Sequence, residues 1–275
     1  MDFCSKLLKL QEEIYKNEKE RYGYQLYYSP RVSFSKIGDF YEITYSGDGY
    51  DDGNRSNFAF LAFIGLLTKY STCIKSLIFT GADEGANGTK NWDFTRLINS
   101  NAVFENLEEF KVKLTDEGEH NQSVIAQDYD EDGQIAKLAA KMPNLKILQV
   151  PSAPNEDFFK LKNLKLQKLI VQAGYNTQNF IANLSKTVNL SRLYALDYTD
   201  ILHDIDNIGT TYGDYKKLFC SDFFETKSEH GQKINFHFTL RENRLTSENL
   251  QELNSIKQIQ FLHVKTFSGQ YVYKR

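Results

Sequence analysis

Along the chain one apolar pattern keeps returning, L-x-x-L-x-L or an aliphatic or aromatic equivalent, with polar residues between the apolar ones. It appears as IKSLIF (Ile74, Leu77, Phe79), LEEFKV (Leu107, Phe110, Val112), LKILQV (Leu145, Leu148, Val150) and LQKLIV (Leu166, Leu169, Val171). It continues as LSRLYA (Leu190, Leu193, Ala195), YKKLFC (Tyr215, Leu218, Cys220), NFHFTL (Asn235, Phe238, Leu240) and IQFLHV (Ile259, Leu262, Val264). Alternation in the second half of each copy predicts a strand with one buried face. Between the central residues 77, 110, 148, 169, 193, 218, 238 and 262 the intervals are 33, 38, 21, 24, 25, 20 and 24 residues. The two long intervals predict insertions in loops.

Between these segments the apolar period changes to that of a helix. In DEDGQIAKLAAKMPNL, Ile135, Leu138, Ala139 and Met142 share one helical face, and Pro143 ends the helix before the next strand. NTQNFIANLSKTVNL repeats the scheme with Phe180, Ile181 and Leu184, and LTSENLQELNSI does so with Leu250, Leu253 and Ile256, Thr246 serving as N-cap. The N-terminal region predicts an amphipathic helix near residues 3–20. Aromatic, alternating segments follow, YQLYYS and VSFSKIGDFYEITYSG, which fit a β-hairpin or small antiparallel sheet. The apolar run at 58–67 predicts a buried helix.

The units LTSENLQELNSIKQIQFLHV and DEDGQIAKLAAKMPNLKILQV, with intervals of 20 to 25 residues, resemble helix-bearing repeats of the leucine-rich repeat superfamily over roughly residues 70–265. The resemblance implies an α/β leucine-rich repeat solenoid: a curved parallel sheet with helices on its convex side and an N-terminal helix and β-hairpin as cap. The cap would occupy residues 1–70 and be continuous with an irregular solenoid over 71–275. The chain departs from the superfamily at the ninth repeat position, where the Asn ladder is mostly absent and Asn243 offers a displaced version. The N-terminal arrangement is similar to that of uncharacterised bacterial leucine-rich repeat proteins, which implies a bacterial source. An ordinary α/β fold, whose parallel strands also alternate with helices, is the rival reading.

Composition supports a globular chain: 275 residues, 41% hydrophobic and 14% aromatic, suffice for a substantial core, and no linker-like tract marks a domain boundary. Charge is unevenly spread. Residues 1–150 carry 17 Lys+Arg against 23 Asp+Glu, and residues 151–275 carry 16 against 13. Neither half is basic enough for a dedicated nucleic-acid binder. Cys4, Cys73 and Cys220 lack metal-ligand spacing, and the most apolar run, Phe58 to Leu67, is half the ~20 residues that span a bilayer. The expectation is a cytoplasmic protein with no cofactor and no membrane partner.

The motif that invites a chemical reading is DYDEDGQIAKLA, whose first eight residues match the start of a calcium loop through Asp128, Asp130 and Asp132. Such a loop needs a bidentate Glu at its twelfth position, where this chain has Ala139. A looser calcium or metal site on the three aspartates is the alternative function; the plainer reading is that Asp132 or a neighbouring acid caps the helix starting near Gly133. Phosphate-loop, dinucleotide, zinc-protease and nucleophile-elbow motifs are absent, and GADEGANG lacks a phosphate-gripping Lys, so no catalytic residues are assigned. Strand alternation instead predicts a binding face. Lys168, Arg192, Lys217 and His237 form one column and Ile170, Tyr194 and Phe219 its neighbour, a basic, partly aromatic surface for a protein or peptide partner, an acidic one being complementary to it. The function expected is that of a non-enzymatic interaction scaffold.

Overall fold

The computed structural model describes residues 2–24, 30–49, 58–83, 88–116, 118–127, 129–200, 209–221, 236–241, 245–256 and 259–264. Most of YQLYYS, together with Asp128, Asn235 and Asn243, lies outside them. Helix α1 (Phe3–Tyr22) starts where the Asp2 carboxylate accepts from the Ser5 amide and ends at Gly23 in the left-handed conformation. Its buried residues Phe3, Leu7, Leu10 and Ile14 recur at helical spacing. The hairpin of β1 (Arg31–Ile37) and β2 (Phe40–Ser46) follows, then the apolar helix α2 (Phe58–Lys69).

From there strands and helices alternate: β3 (Ile74–Thr80), β4 (Gly88–Asn91), α3 (Thr95–Ile98), β5 (Glu109–Val112), β6 (Asn121–Val124), α4 (Gln134–Ala140) and β7 (Ile147–Val150). Next come α5 (Glu156–Lys160), β8 (Lys168–Gln172), α6 (Phe180–Leu184), β9 (Ala195–Thr199), α7 (Tyr212–Phe219), β10 (Phe236–Arg241), α8 (Ser247–Asn254) and β11 (Ile259–Val264). Nine strands form one sheet in the order β1-β2-β3-β5-β7-β8-β9-β10-β11. Among the described residues of this sheet only β1 and β2 pair antiparallel, and every later pair is parallel. Successive helices from α1 to α8 pack against one another in chain order. The core is the layer between them and the sheet.

This is a mixed α/β fold, and it corrects the leucine-rich repeat solenoid expected from the sequence. The residues in register across the parallel strands are Leu77, Phe110, Leu148, Leu169, Leu196, Phe238 and Phe261, so the spacing runs 33, 38, 21, 27, 42 and 23. The near-constant period that carried the resemblance is gone. One of the eight expected strands, Tyr215–Cys220, is instead helix α7. A capping box decides its conformation: the Thr211 hydroxyl accepts from the Asp214 amide, while the Asp214 carboxylate accepts from the Thr211 amide. Tyr215, Leu218 and Phe219 then fall on one buried helical face.

The long intervals after β3 and β5 hold β4 and β6, which pair in parallel as a separate two-stranded sheet. A bridge from Gly49 to Trp92 ties it to the end of β2. Trp92, the only tryptophan, is fully buried with its indole N–H donating to Ser123 Oγ at 3.1 Å. Its ring lies so close to Gly49 that no Cβ fits there.

Candidate functional site

Alternation along the last strands leaves one face of the sheet without a helix layer among the described residues. Leu169, Val171, Leu196, Tyr198, Phe236, Phe238 and Leu240 point into the core. The residues between them therefore face the other way. One row across this open face is Lys168, Ala195, His237 and Gln260, and the next is Ile170, Asp197, Thr239 and Leu262. Lys168, His237 and Gln260 are exposed, and Leu262 keeps 56% of its surface in solvent. Arg241 donates from Nε and a terminal nitrogen to the two Asp197 oxygens at 2.8 and 2.9 Å, a planar two-point pair that neutralises that carboxylate. Lys168 has no carboxylate partner among the described residues.

Of the seven residues expected at the binding surface, Lys168, Ile170 and His237 lie on this face. The remaining four are corrected. Arg192 and Tyr194 precede β9 in the turn at its entry, because the strand begins three residues later than the L-x-x-L-x-L copy at Leu190 implies. Lys217 is exposed on α7, and Phe219 is buried on the same helix against Phe238, ring centres 5.5 Å apart. The basic column Lys168, Arg192, Lys217, His237 therefore does not assemble. Ala195, Asp197, Thr239, Arg241 and Leu262 take its place, and only the strand register reveals them.

The upper end of the face is closed by the insertion that contains β6. Gln172 at the end of β8 is buried, its side chain accepting from the Thr115 amide at 2.9 Å and donating to the Thr115 carbonyl at 3.2 Å. Where β9 ends, Asp200 is buried as well. It accepts from the Tyr215 hydroxyl at 2.8 Å and from the Thr210 hydroxyl at 3.2 Å. Burial, followed by the charge of Asp200, pushes the Tyr198 and Tyr215 hydroxyls well above the usual phenol range, so both remain protonated.

A second polar cluster sits at the ends of β3 and β5. Asp83 accepts from the backbone amide and Nδ1 of His120, both at 2.8 Å, and from Asn121 Nδ2 at 3.2 Å. Lys90 donates to the Ala82 carbonyl at 2.9 Å and lies 3.5 Å from Asp48, while Lys113 pairs with Glu119 and Asp116. Sequence reasoning missed the Asp83–His120 pair, whose members stand 37 residues apart with no local signal. The space beside Lys90 and Lys113 is about 10 Å³, room for one water and no substrate. The cluster fastens the inserted sheet to the main one.

In the acidic stretch the acid at the start of α4 is Glu131, the neighbour of Asp132. Glu131, 2% exposed, accepts from the Gly133 amide at 3.0 Å and from the Ile135 amide, while Asp130 and Asp132 are exposed. Ala139 is buried on the core side of α4. Among the described residues no three His, Cys, Asp or Glu side chains are grouped to hold a metal ion. Burial raises the Glu131 pKa, and its backbone hydrogen bonds only partly offset this. A carboxyl raised in the folded state binds its proton more tightly there than when unfolded, so its contribution to stability grows as pH falls. The gap in melting temperature between the parent and Glu131→Gln should therefore shift in the parent's favour as pH drops from neutral toward 4.5, the ordinary value. A gap that is constant or moves the other way contradicts this assignment.

Comparison with protein-family models finds no match, and comparison with curated proteins finds none either.

Proposed function

We propose that the protein is a non-enzymatic interaction scaffold that takes a partner protein or peptide on the open face of its sheet. The observation that carries this is the surface running from Lys168 and Ile170 across Ala195 to His237, Thr239 and Leu262. No described helix covers it, and it combines a cation that has no carboxylate partner among the described residues with an exposed leucine. Exposed apolar side chains beside an unpaired charge are the usual makings of an interface centre and its rim. The three cysteines are free, which suits a reducing, cytoplasmic setting, and among the described residues no helix is long and apolar enough to cross a membrane.

The test compares three forms of the full chain, immobilised and exposed to extract of the source cells: the parent, the double variant Ile170→Glu/Leu262→Glu, and Lys217→Glu on the helix layer. Proteins retained by the parent and by Lys217→Glu should be lost from the double variant, with the melting temperatures of all three alike. Equal retention by all three removes the open face from the function.

A further inference from the structure

On the reading of the open face as the partner surface, we infer that its centre is a seat for a carboxylate side chain of an extended acidic peptide, floored by Ala195 and flanked by Lys168 and His237. The three residues are directly paired neighbours on β8, β9 and β10. Strands lie ~4.8 Å apart, so the flanking residues stand about 10 Å from one another with only a methyl group between them. That gap admits one side chain from above. Lys168 and His237 alternate with the buried Leu169, Phe236 and Phe238, so both project from the open side.

Charge fixes the chemistry of the occupant. The nearest described acid on the face, Asp197, is held by two hydrogen bonds from Arg241. Glu109, three strands away, is bound by Lys111 at 2.5 Å and by the Ser76 hydroxyl at 2.7 Å. Burial pushes its carboxyl up, but those bonds outweigh it and hold the group ionised and satisfied. Glu42 on β2 is five strands from Ala195, about 24 Å, well beyond the ~8 Å over which salt leaves surface charges in communication. Among the described residues, the uncompensated charge near Ala195 is thus that of Lys168, with the His237 ring on the other side of the seat. One strand beyond His237 the exposed Leu262 offers an apolar contact in the adjoining row, so a segment mixing acidic and aliphatic residues fits both features.

The probe is a fluorescein-labelled decapeptide of Glu, Leu and Ser, compared with its isosteric version carrying Gln in place of every Glu, both read by fluorescence anisotropy against the full chain. The Glu peptide should bind, and the Gln peptide at least tenfold more weakly. Lys168→Gln and Ala195→Leu, the second of which fills the seat without changing charge, should each weaken the Glu peptide at least tenfold. Lys217→Glu should leave its binding unchanged. If the Glu peptide binds the parent and both seat variants alike, the seat is wrong. The partner-face reading falls separately, when Ile170→Glu/Leu262→Glu still captures the cellular partners. Absence of binding by the Glu peptide at millimolar concentration, or binding no tighter than that of the Gln peptide, overturns the carboxylate assignment.

Discussion

Replacing Phe79 by alanine should destabilise the chain by about 3–5 kcal/mol, the range seen when a buried aromatic is truncated and its site cannot collapse. Phe79 is fully buried on β3, and its ring centre lies 4.9 to 6.2 Å from those of Tyr45, Phe60, Phe63, Trp92, Phe94 and Phe110. These rings come from β2, α2, the inserted sheet, the approach to α3, and β5, so the cavity would open where hairpin, helix layer and insertion meet. Large planar side chains pinned on several sides relax little, which keeps the cavity term high. Ile78, the next residue, faces the open side and is half-buried. Ile78→Ala should cost clearly less, and the two variants compared by denaturant unfolding provide the check. Equal losses would mean that the faces of β3 are misassigned.

The second large effect is electrostatic. Asp200 is 3% exposed and accepts a 2.8 Å hydrogen bond from the Tyr215 hydroxyl on α7. Removing one donor to a buried charged group costs about 1.5–3 kcal/mol, because the carboxylate keeps its desolvation penalty while losing the bond that offsets it. Tyr215→Phe should therefore lower stability by that amount, although the ring and its packing are preserved. In an Asp200→Asn background the same change should cost roughly 1 kcal/mol or less, since the acceptor is then neutral. Additive losses in the double-mutant cycle would show that Tyr215 and Asp200 act independently.

The local elements were largely readable and their alignment was not. Capping and periodicity located α1, α2 and α4, and alternation located β3, β5, β7, β8 and β10, because burial of one face imposes its period directly on the chain. At β9 the segment LSRLYALDYT contains two overlapping copies of the pattern, one centred on Leu193 and one on Leu196, and only pairing with Lys168–Gln172 selects the second. At β11 the pattern IQFLHV put Leu262 at the centre of the buried face. Its register with β10 turns Leu262 outward, the inversion that a one-residue slip always produces.

Other features left no pattern to read. β4 and β6, GTKN and NQSV, are polar and four residues long, and they exist because they pair with each other. Tyr215 and Leu218 suit either a strand or a helix, and the Thr211–Asp214 capping box tips the choice. The candidate face was legible to the extent that its strands were: Lys168, Ile170 and His237 lie on the open side of β8 and β10, whereas Arg192, Tyr194, Lys217 and Phe219 inherited the register and strand errors of their segments. Ala195, the last apolar residue of the LSRLYA copy, was expected on the buried side, and the register places it on the open one. Its importance comes from what stands on either side of it once β8, β9 and β10 are aligned.

The partner-face account is tested most directly by placing the photo-cross-linker benzoylphenylalanine at Thr239 on the open face, or at Lys217 on α7, and irradiating source cells that express each form. The account predicts covalent adducts of higher mass from position 239 and none from position 217. Adducts from 217 alone, or from neither position, would contradict it.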